Sequence, residues 1–349
     1  MAKRIKWGVI GAGGIAFRRT IPEGLMKASN AQLVAVMDAV KPTAEKAGGE
    51  FGVPWYADED ALLVHPGVEA VYIATPAQYH YRQAMKCLKA GKHILVEKPM
   101  ALKVDECKKI LVFARSKKLR IGVDFMMRFN TLNGKIREMT ARGDLGKPVM
   151  ARAQLSCWYP SIPGAWRQNA AKGGGGSLID MGCHCIDLLE YIMGSRVREV
   201  SCFTGRVVQA YPVEDTAVMT VRFANGAIGI VDACFSIPDN SSQNILEIYG
   251  SKGSIIAKGT IGQGPGGEAT AYLETAAKGY DARQARTTSK TQTITAAPFN
   301  TYRAQVESFS AAILAKTEPP IPGGDGLWNQ KLMLAAYESA RRKKVIAVK

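Results

Sequence analysis

Apolar positions follow two rhythms along this chain. Up to about residue 124, short apolar runs alternate with segments of helical spacing. Residues 5–10, 32–37, 55–56, 70–74, 93–96 and 119–123 read as strands. Residues 42–51, 58–63, 80–90 and 105–117 read as helices, and a further helix runs from the loop after residue 10 to about residue 28. Asp58 is placed to cap the helix at 58–63. Strand and helix in strict alternation predict a parallel, doubly wound sheet with helices on its faces.

After residue 124 the rhythm changes. A helix falls within 128–142, and from residue 149 the chain turns strand-rich, at 149–157, 197–207, 216–223, 227–235, 244–249 and 254–257. Asn225-Gly226 and Ser251-Lys252-Gly253 are turns between neighbouring strands. Such hairpin-joined runs predict a large, open, mostly antiparallel sheet, one face of which must be buried by a helix or by a second subunit. Residues 259–297 read as irregular segments and short strands. Helices at 302–316 and 327–343 and a short strand at 345–348 close the chain. The expected fold class is therefore α/β, with a doubly wound domain at 1–124 and an α+β domain at 125–349. A length of 349 residues is itself too great for one modest core.

Composition narrows the class without naming a function. The chain is 47% hydrophobic and 22% charged, ordinary for a globular protein. No run approaches the roughly 18 to 20 apolar residues of a membrane span, and the N-terminus enters a strand directly, so no membrane and a cytoplasmic location are expected. Seven scattered cysteines with no Cys-x-x-Cys pair read as buried or free thiols. The formal charge is +16, but the basic residues are dispersed; the one run, Arg341-Arg342-Lys343-Lys344, falls at a helix C-terminus, where cations complement the dipole. This argues against nucleic-acid binding and for a general field that attracts anions.

Three segments carry candidate chemistry. The first is Gly11-Ala-Gly13-Gly14-Ile15-Ala16 between a strand and a helix, a fit to G-x-G-x-x-G/A. There the first glycine makes a tight turn, the second lets backbone approach a pyrophosphate, and the third position keeps helix and strand close. Asp38 ends the second strand, 22 residues beyond Ala16. A carboxylate there accepts hydrogen bonds from ribose hydroxyls and repels a 2′-phosphate, which favours NAD over NADP; the nearby Lys41 pulls the other way. The second segment is 91–101, with Glu97-Lys98-Pro99 at a strand end, where the proline restricts Lys98 to an extended backbone. A lysine partly desolvated beside a cationic nicotinamide has a lowered pKa. The third is 173–187, in which Asp180, His184 and Asp187 stand at i, i+4 and i+7 on one helical face after a glycine-rich loop. A metal held by these three lacks a fourth ligand, so none is expected. Thr75-Pro76 ends another strand, and strand ends are where ligands bind such sheets.

Together these residues resemble the glucose–fructose oxidoreductase / inositol dehydrogenase / rhizopine catabolism (Gfo/Idh/MocA) family. The resemblance spans the chain and rests on Gly11-x-Gly13-x-x-Ala16, Ala74-Thr75-Pro76 with His80, 91–99 through Glu97-Lys98-Pro99, Trp166-Arg167, and Gly174-Gly175 through Asp180 and His184. Two departures are Ala77, where the family often has Asn, and Thr131, where Pro is common. The resemblance implies a Rossmann domain, a C-terminal domain with an open sheet, a last helix that packs back on the first domain, and NAD(P)-dependent oxidation or reduction of a sugar or cyclitol. It implies Lys98, Asp180 and His184 as the catalytic set, with Thr75, Pro76, His80, Glu97, Trp166 and Arg167 near the cofactor. Position alone adds Arg128, Tyr159 and Asp187 as substrate contacts.

The expected reaction is hydride transfer between NAD(H) and a ring secondary alcohol or ketone. His184 takes the hydroxyl proton, Lys98 stabilises alkoxide charge and Asp180 orients, with Lys98 and His184 interchangeable at this level. The Lys98 segment is expected to meet Asp180 and His184 where the two domains meet. Alternatives are an NADP-dependent enzyme of an anionic substrate (sugar phosphate, nucleotide sugar or aromatic dihydrodiol), and a non-enzymatic NAD-binding regulator. A homo-oligomer, dimer or tetramer, through the C-terminal sheet is expected.

Overall fold

The computed structural model describes residues 3–274, 282 and 289–349; the part of the irregular expectation that falls on 275–281 and 283–288 otherwise lies outside them. Two compact units form. The first comprises Met1–Met126, Ala165–Gly174 and Asn300–Lys331, and the second Met127–Gly164, Gly175–Phe299 and Leu332–Lys349. To the expected 1–124 the first unit thus adds two returning segments. The helix Gly323–Arg342 begins among the residues of the first unit and ends among those of the second.

The first unit is a six-stranded parallel sheet of β1 (Ile5–Ile10), β2 (Ala31–Met37), β3 (Trp55–Tyr56), β4 (Ala70–Ile73), β5 (His93–Val96) and β6 (Ile121–Val123), in the order β3-β2-β1-β4-β5-β6. The chain reverses direction of winding between β1 and β4, the crevice where such sheets bind ligands. Register fixes the edge: Ile10 pairs with Met37 and Ile73, Ile73 with Val96, and Val96 with Val123. Gly11, Asp38, Ala74, Glu97 and Asp124 therefore follow one another across the carboxyl edge.

The helix expected after Gly11 is a π-helix at Ala16–Leu25 with Pro22 inside it. Proline lacks an N–H and its ring collides with a carbonyl one α-turn back; the wider turn accommodates it. Gly24 lets the returning helix Thr301–Ala315 come close, since a Cβ there would lie 3.2 Å from the Tyr302 carbonyl oxygen. The same helix sets Phe309 against Trp7, with centroids 5.5 Å apart, and Ser310 Oγ accepts the Trp7 indole N–H at 3.1 Å. The expected Asp58 cap is present, accepting the Asp60 and Ala61 N–H groups.

The second unit is built on a nine-stranded mixed sheet. Its strands are β7 (Pro148–Ser156), β8 (Val197–Gly205), β9 (Thr216–Phe223), β10 (Ile228–Cys234), β11 (Ile245–Gly250), β12 (Gly253–Lys258), β13 (Glu268–Glu274), β14 (Ser289–Thr293) and β15 (Ile346–Ala347), in the order β14-β13-β12-β11-β7-β10-β9-β8-β15. Among the described residues of this sheet, β7 and β10 are the one parallel pair. Asn225-Gly226 turns β9 into β10, with Gly226 at φ +90°. Helices Cys183–Met193 and Thr131–Arg142 pack on each other, and the first also packs on β7. The sheet's other face keeps Phe203, Val218 and Ile228 exposed. Among the described residues no helix is long and apolar enough to cross a membrane.

Asp215 anchors the loop between β8 and β9. Its buried carboxylate accepts the N–H groups of Val207, Val208 and Gln209, at 2.6–3.1 Å, and the Thr216 hydroxyl. Burial pushes its pKa up, but these donors outweigh burial and hold it at about 2, below its ordinary 3.8. The lowered value means that the stabilisation is present above pH 3.8 and is lost as pH falls through about 2. Asp215→Asn should cost roughly 2–4 kcal/mol at pH 7. Urea midpoints of the two proteins should draw together as pH is lowered from 4 towards 2; a constant gap would show that the charge plays no part.

Candidate functional site

The glycine loop and Asp38 form one unit of hydrogen bonding. Gly11 has φ +86°, and a Cβ there would lie 2.8 Å from both the Ala74 carbonyl carbon and Thr75 Cγ2. Its N–H and that of Ala12 donate to the Met37 carbonyl. Asp38 Oδ2 accepts the Gly13 N–H at 3.1 Å, and Oδ1 accepts that of Val40 at 3.0 Å. A Cβ on Gly14 (φ +52°) would meet nothing within 4 Å. The loop thus presents open space before a helix start, where the first N–H groups have no intrahelical acceptor. That arrangement, with a carboxylate at the end of β2, fits the pyrophosphate and adenosine ribose of a dinucleotide.

Beside it, Thr75 and the Lys98-Pro99 bond, which is cis, are tied together by His80. His80 is fully buried, with Nδ1 2.7 Å from the Pro99 carbonyl oxygen and Nε2 2.8 Å from that of Thr75. A neutral ring donates to one of these carbonyls, and only the imidazolium serves both. Burial holds the pKa below its usual value against the pull of the two carbonyls and Glu97. His80 therefore positions the two loops from beneath. Thr75 Oγ1 also donates to Gln83, whose amide donates to Glu59, itself held bidentate by Arg82 at 2.7 Å. Lys98 is 9% exposed. Trp166 and Arg167, stacked with the guanidinium 4.2 Å from the ring centroid, belong to this same unit, and the following turn packs on Ala77–Tyr79, after Pro76.

Under Lys98 lies a group that sequence reading did not find. The Tyr72 hydroxyl is 2.6 Å from Glu97 Oε1 and 3.1 Å from Asp124 Oδ2, and accepts from Thr20 at 3.0 Å. Burial first, and the Glu97 charge second, push the Asp124 carboxyl well above its ordinary range. Asp124 thus holds its proton more tightly than an ordinary carboxyl, with the Tyr72 hydroxyl between it and Glu97.

In the second unit, the segment from Gly175 to Glu190 is buried at every position except Asp180 and His184. It is a π-turn, Leu178–Gly182, leading into the helix Cys183–Met193. Its start is gripped by two residues missed from the sequence. Glu214 Oε1 accepts the Gly176 and Leu178 N–H groups at 2.9 and 3.1 Å and the Tyr337 hydroxyl at 2.7 Å. A Cβ on Gly175 would fall 1.9 Å from the Tyr337 hydroxyl oxygen, and one on Gly176 2.0 Å from the Glu214 carbonyl oxygen, so this approach needs glycine at both. Arg128 and Asp187, expected at the substrate, form a bidentate pair with each other, and both are almost wholly buried. Removing one partner of such a pair costs roughly 3–5 kcal/mol. Tyr159 packs against Phe235 with ring centroids 5.0 Å apart and the rings tilted, beside the cluster that also contains Met181.

Comparison with known proteins fits this geometry. Residues 5–125 match the profile of an oxidoreductase family with an NAD-binding Rossmann fold, GFO/IDH/MocA, and residues 134–256 match the C-terminal domain of the same family. The chain is 27% identical over 337 residues to a 1,5-anhydro-D-fructose reductase of Ensifer adhaerens, covering 96% of both proteins. It is 30% identical to a trans-1,2-dihydrobenzene-1,2-diol dehydrogenase of Mus musculus, covering 71% of this chain and 73% of that one. Among solved structures, an aldose-aldose oxidoreductase of Caulobacter crescentus complexed with glycerol superposes with a TM-score of 0.88 at 24% identity, covering 99% of this chain and all of that one.

Because the Asp124 carboxyl is held well above its ordinary range, Asp124→Asn should cost less than about 1 kcal/mol, whereas Asp124→Ala, which removes a buried partner of the Tyr72 hydroxyl, should cost roughly 1–3 kcal/mol. The raised pKa means that Asp124 stabilises fully in acid and progressively less as pH rises through the raised value. Thermal melts of Asp124→Asn should therefore improve relative to the parent between pH 5 and 8. A relative loss over that range would mean that Asp124 is ionised in the fold.

Proposed function

The chain belongs to the GFO/IDH/MocA oxidoreductase family, and we propose that it transfers a hydride between NAD(H) and a secondary alcohol or ketone of a sugar or cyclitol. The observation that carries this reading is the exposure pattern of residues 175–190, in which Asp180 and His184 alone remain accessible in an otherwise buried segment. Lys98 supplies the complementary group at the carboxyl edge of the NAD-binding sheet. Bound nicotinamide supplies the hydride acceptor or donor. His184 takes the hydroxyl proton as general base. Lys98 binds the same oxygen and stabilises the charge that develops there. Asp180 orients the substrate or the imidazole. Similarity to a reductase of an anhydro-ketose and to an aldose oxidoreductase supports the sugar class.

The reading includes a homo-oligomer in the cytoplasm. The seven cysteines are free thiols, which fits a reducing compartment. On the open face of the nine-stranded sheet Phe203 is 77% exposed and faces Val218, 40% exposed, directly across on β9. A second copy of the chain laid on this face would cover both.

Lys98→Ala and His184→Asn should each reduce turnover by about 10²- to 10⁴-fold with NAD affinity nearly unchanged. The assay is absorbance of reduced nicotinamide across sugars, cyclitols and sugar phosphates, with NAD and NADP run separately. Unchanged turnover in either variant removes that residue from the mechanism, and binding of NAD with no turnover on any substrate would favour a regulator. Phe203→Glu with Val218→Lys should give a monomer by light scattering. A parent protein that is already monomeric at all concentrations would refute the oligomer.

A further inference from the structure

The edge of the six-stranded sheet opposite Gly11 and Glu97 holds a cavity of about 960 Å³, lined wholly by residues of the first unit. It lies where the strands begin: Ile5, His93 and Ile121 open β1, β5 and β6, and Val68 and Glu69 precede β4. Its apolar lining includes Val68, Leu111, Leu119, Ile121, Ile313 and Leu314. Five cations also line it, Lys3, Arg115, Lys118, Arg120 and Lys316, against two carboxylates, Glu69 and Glu318.

The cations are not used up by these carboxylates. Lys3 lies 3.9 Å from Glu69 and Arg120 lies 3.7 Å from Glu318, while Arg120 also donates to the Lys316 carbonyl. Arg115, Lys118 and Lys316 have no carboxylate partner among the described residues. His93 Nδ1 accepts the Arg120 N–H at 2.8 Å, which leaves the ring proton on Nε2. Burial and the Arg120 charge hold the ring neutral, so it adds a donor and not a further charge. Helices Val104–Ser116 and Thr301–Ala315 both end here. Cations at helix C-termini complement the dipoles, which accounts for charge at the rim but not for the apolar hollow under it. An apolar concavity with a few convergent polar groups is the usual form of a small-molecule site, and those span roughly 300–1,000 Å³.

We propose that this cavity is a second ligand site, at the opposite edge of the sheet from the cofactor, for a small organic anion: a carboxylate, sulfonate or phosphate group on an apolar body. The apolar lining takes the body, and Arg115, Lys118 and Lys316 take the charge.

The test is titration of the full-length protein, saturated with NAD to block the dinucleotide site, with the fluorescent probe 8-anilinonaphthalene-1-sulfonate. One equivalent should bind, and octanoate should displace it. Arg115→Glu with Lys118→Glu, both exposed surface changes, should weaken probe binding by about tenfold or more while NAD affinity stays at the parent level and the charge reversal at the helix end lowers the melting temperature by only a few degrees. Ile313→Glu, a change in the apolar lining, should weaken it independently. No binding, or binding unaltered in both variants, overturns the proposal. Displacement by inorganic phosphate as effective as by octanoate overturns the assignment of an apolar body.

Discussion

A carboxyl buried beside a carboxylate gives up its proton reluctantly, and at Asp124, buried next to the half-buried Glu97, this constraint orders the reactive edge of the first unit. Asp124 keeps its proton, Tyr72 donates between the pair, and the three strand ends of β4, β5 and β6 are joined through side chains as well as through the ladder. Lys98 follows Glu97 directly, and Pro99 is held through its carbonyl by His80. The backbone on either side of the lysine is thus fixed by buried hydrogen bonds, and a lysine so mounted has few conformations to lose on meeting an alcohol oxygen. The parallel register does the remaining work, since it brings Gly11, Asp38 and Glu97 to the same edge without any contact between them.

The second unit reaches the same end by a different device. Glu214 receives two backbone N–H groups and the Tyr337 hydroxyl at the start of the Asp180 segment. Arg128 secures the same segment further along, through Asp187. Every other side chain from 175 to 190 is packed away, so the segment offers Asp180 and His184 and nothing else. The spacing i, i+4, i+7 seen in the sequence was shared by three residues of unlike standing. Two are accessible, and the third is spent on an ion pair that holds the helix.

What could be read from the sequence was local. The turn at Gly11, the cap at Asp58, the hairpin at Asn225-Gly226 and the alternation of strand and helix are each determined within a few residues, and each is present. What could not be read is made by partners far apart in the chain. Glu214 and Tyr337 are separated by 123 residues, Arg128 and Asp187 by 59, and Tyr72 and Asp124 by 52. No periodicity marks such pairs, because each member has the residue type of an ordinary surface or core position. The π-turns were invisible for a related reason. At 16–25 and 178–182 the apolar pattern satisfies an α-helix, and only Pro22 hints that the hydrogen bonding must shift.

Net charge illustrates the limit of composition as a functional argument. A surplus of +16 suggests a field that draws anions to the reaction site. Yet on the first unit the strand ends at the carboxyl edge carry the carboxylates of Asp38 and Glu97, while Lys3, Arg115, Lys118, Arg120 and Lys316 gather at the amino edge. Screening over roughly 8 Å at physiological ionic strength confines each cluster's influence to its own side. Attraction of a dinucleotide therefore rests on the glycine loop and helix start, not on the summed charge. The cationic edge has to be explained by something it faces itself, and a hollow lined with Ile313 and Leu314 beneath those cations suits an amphiphilic anion better than a bare ion.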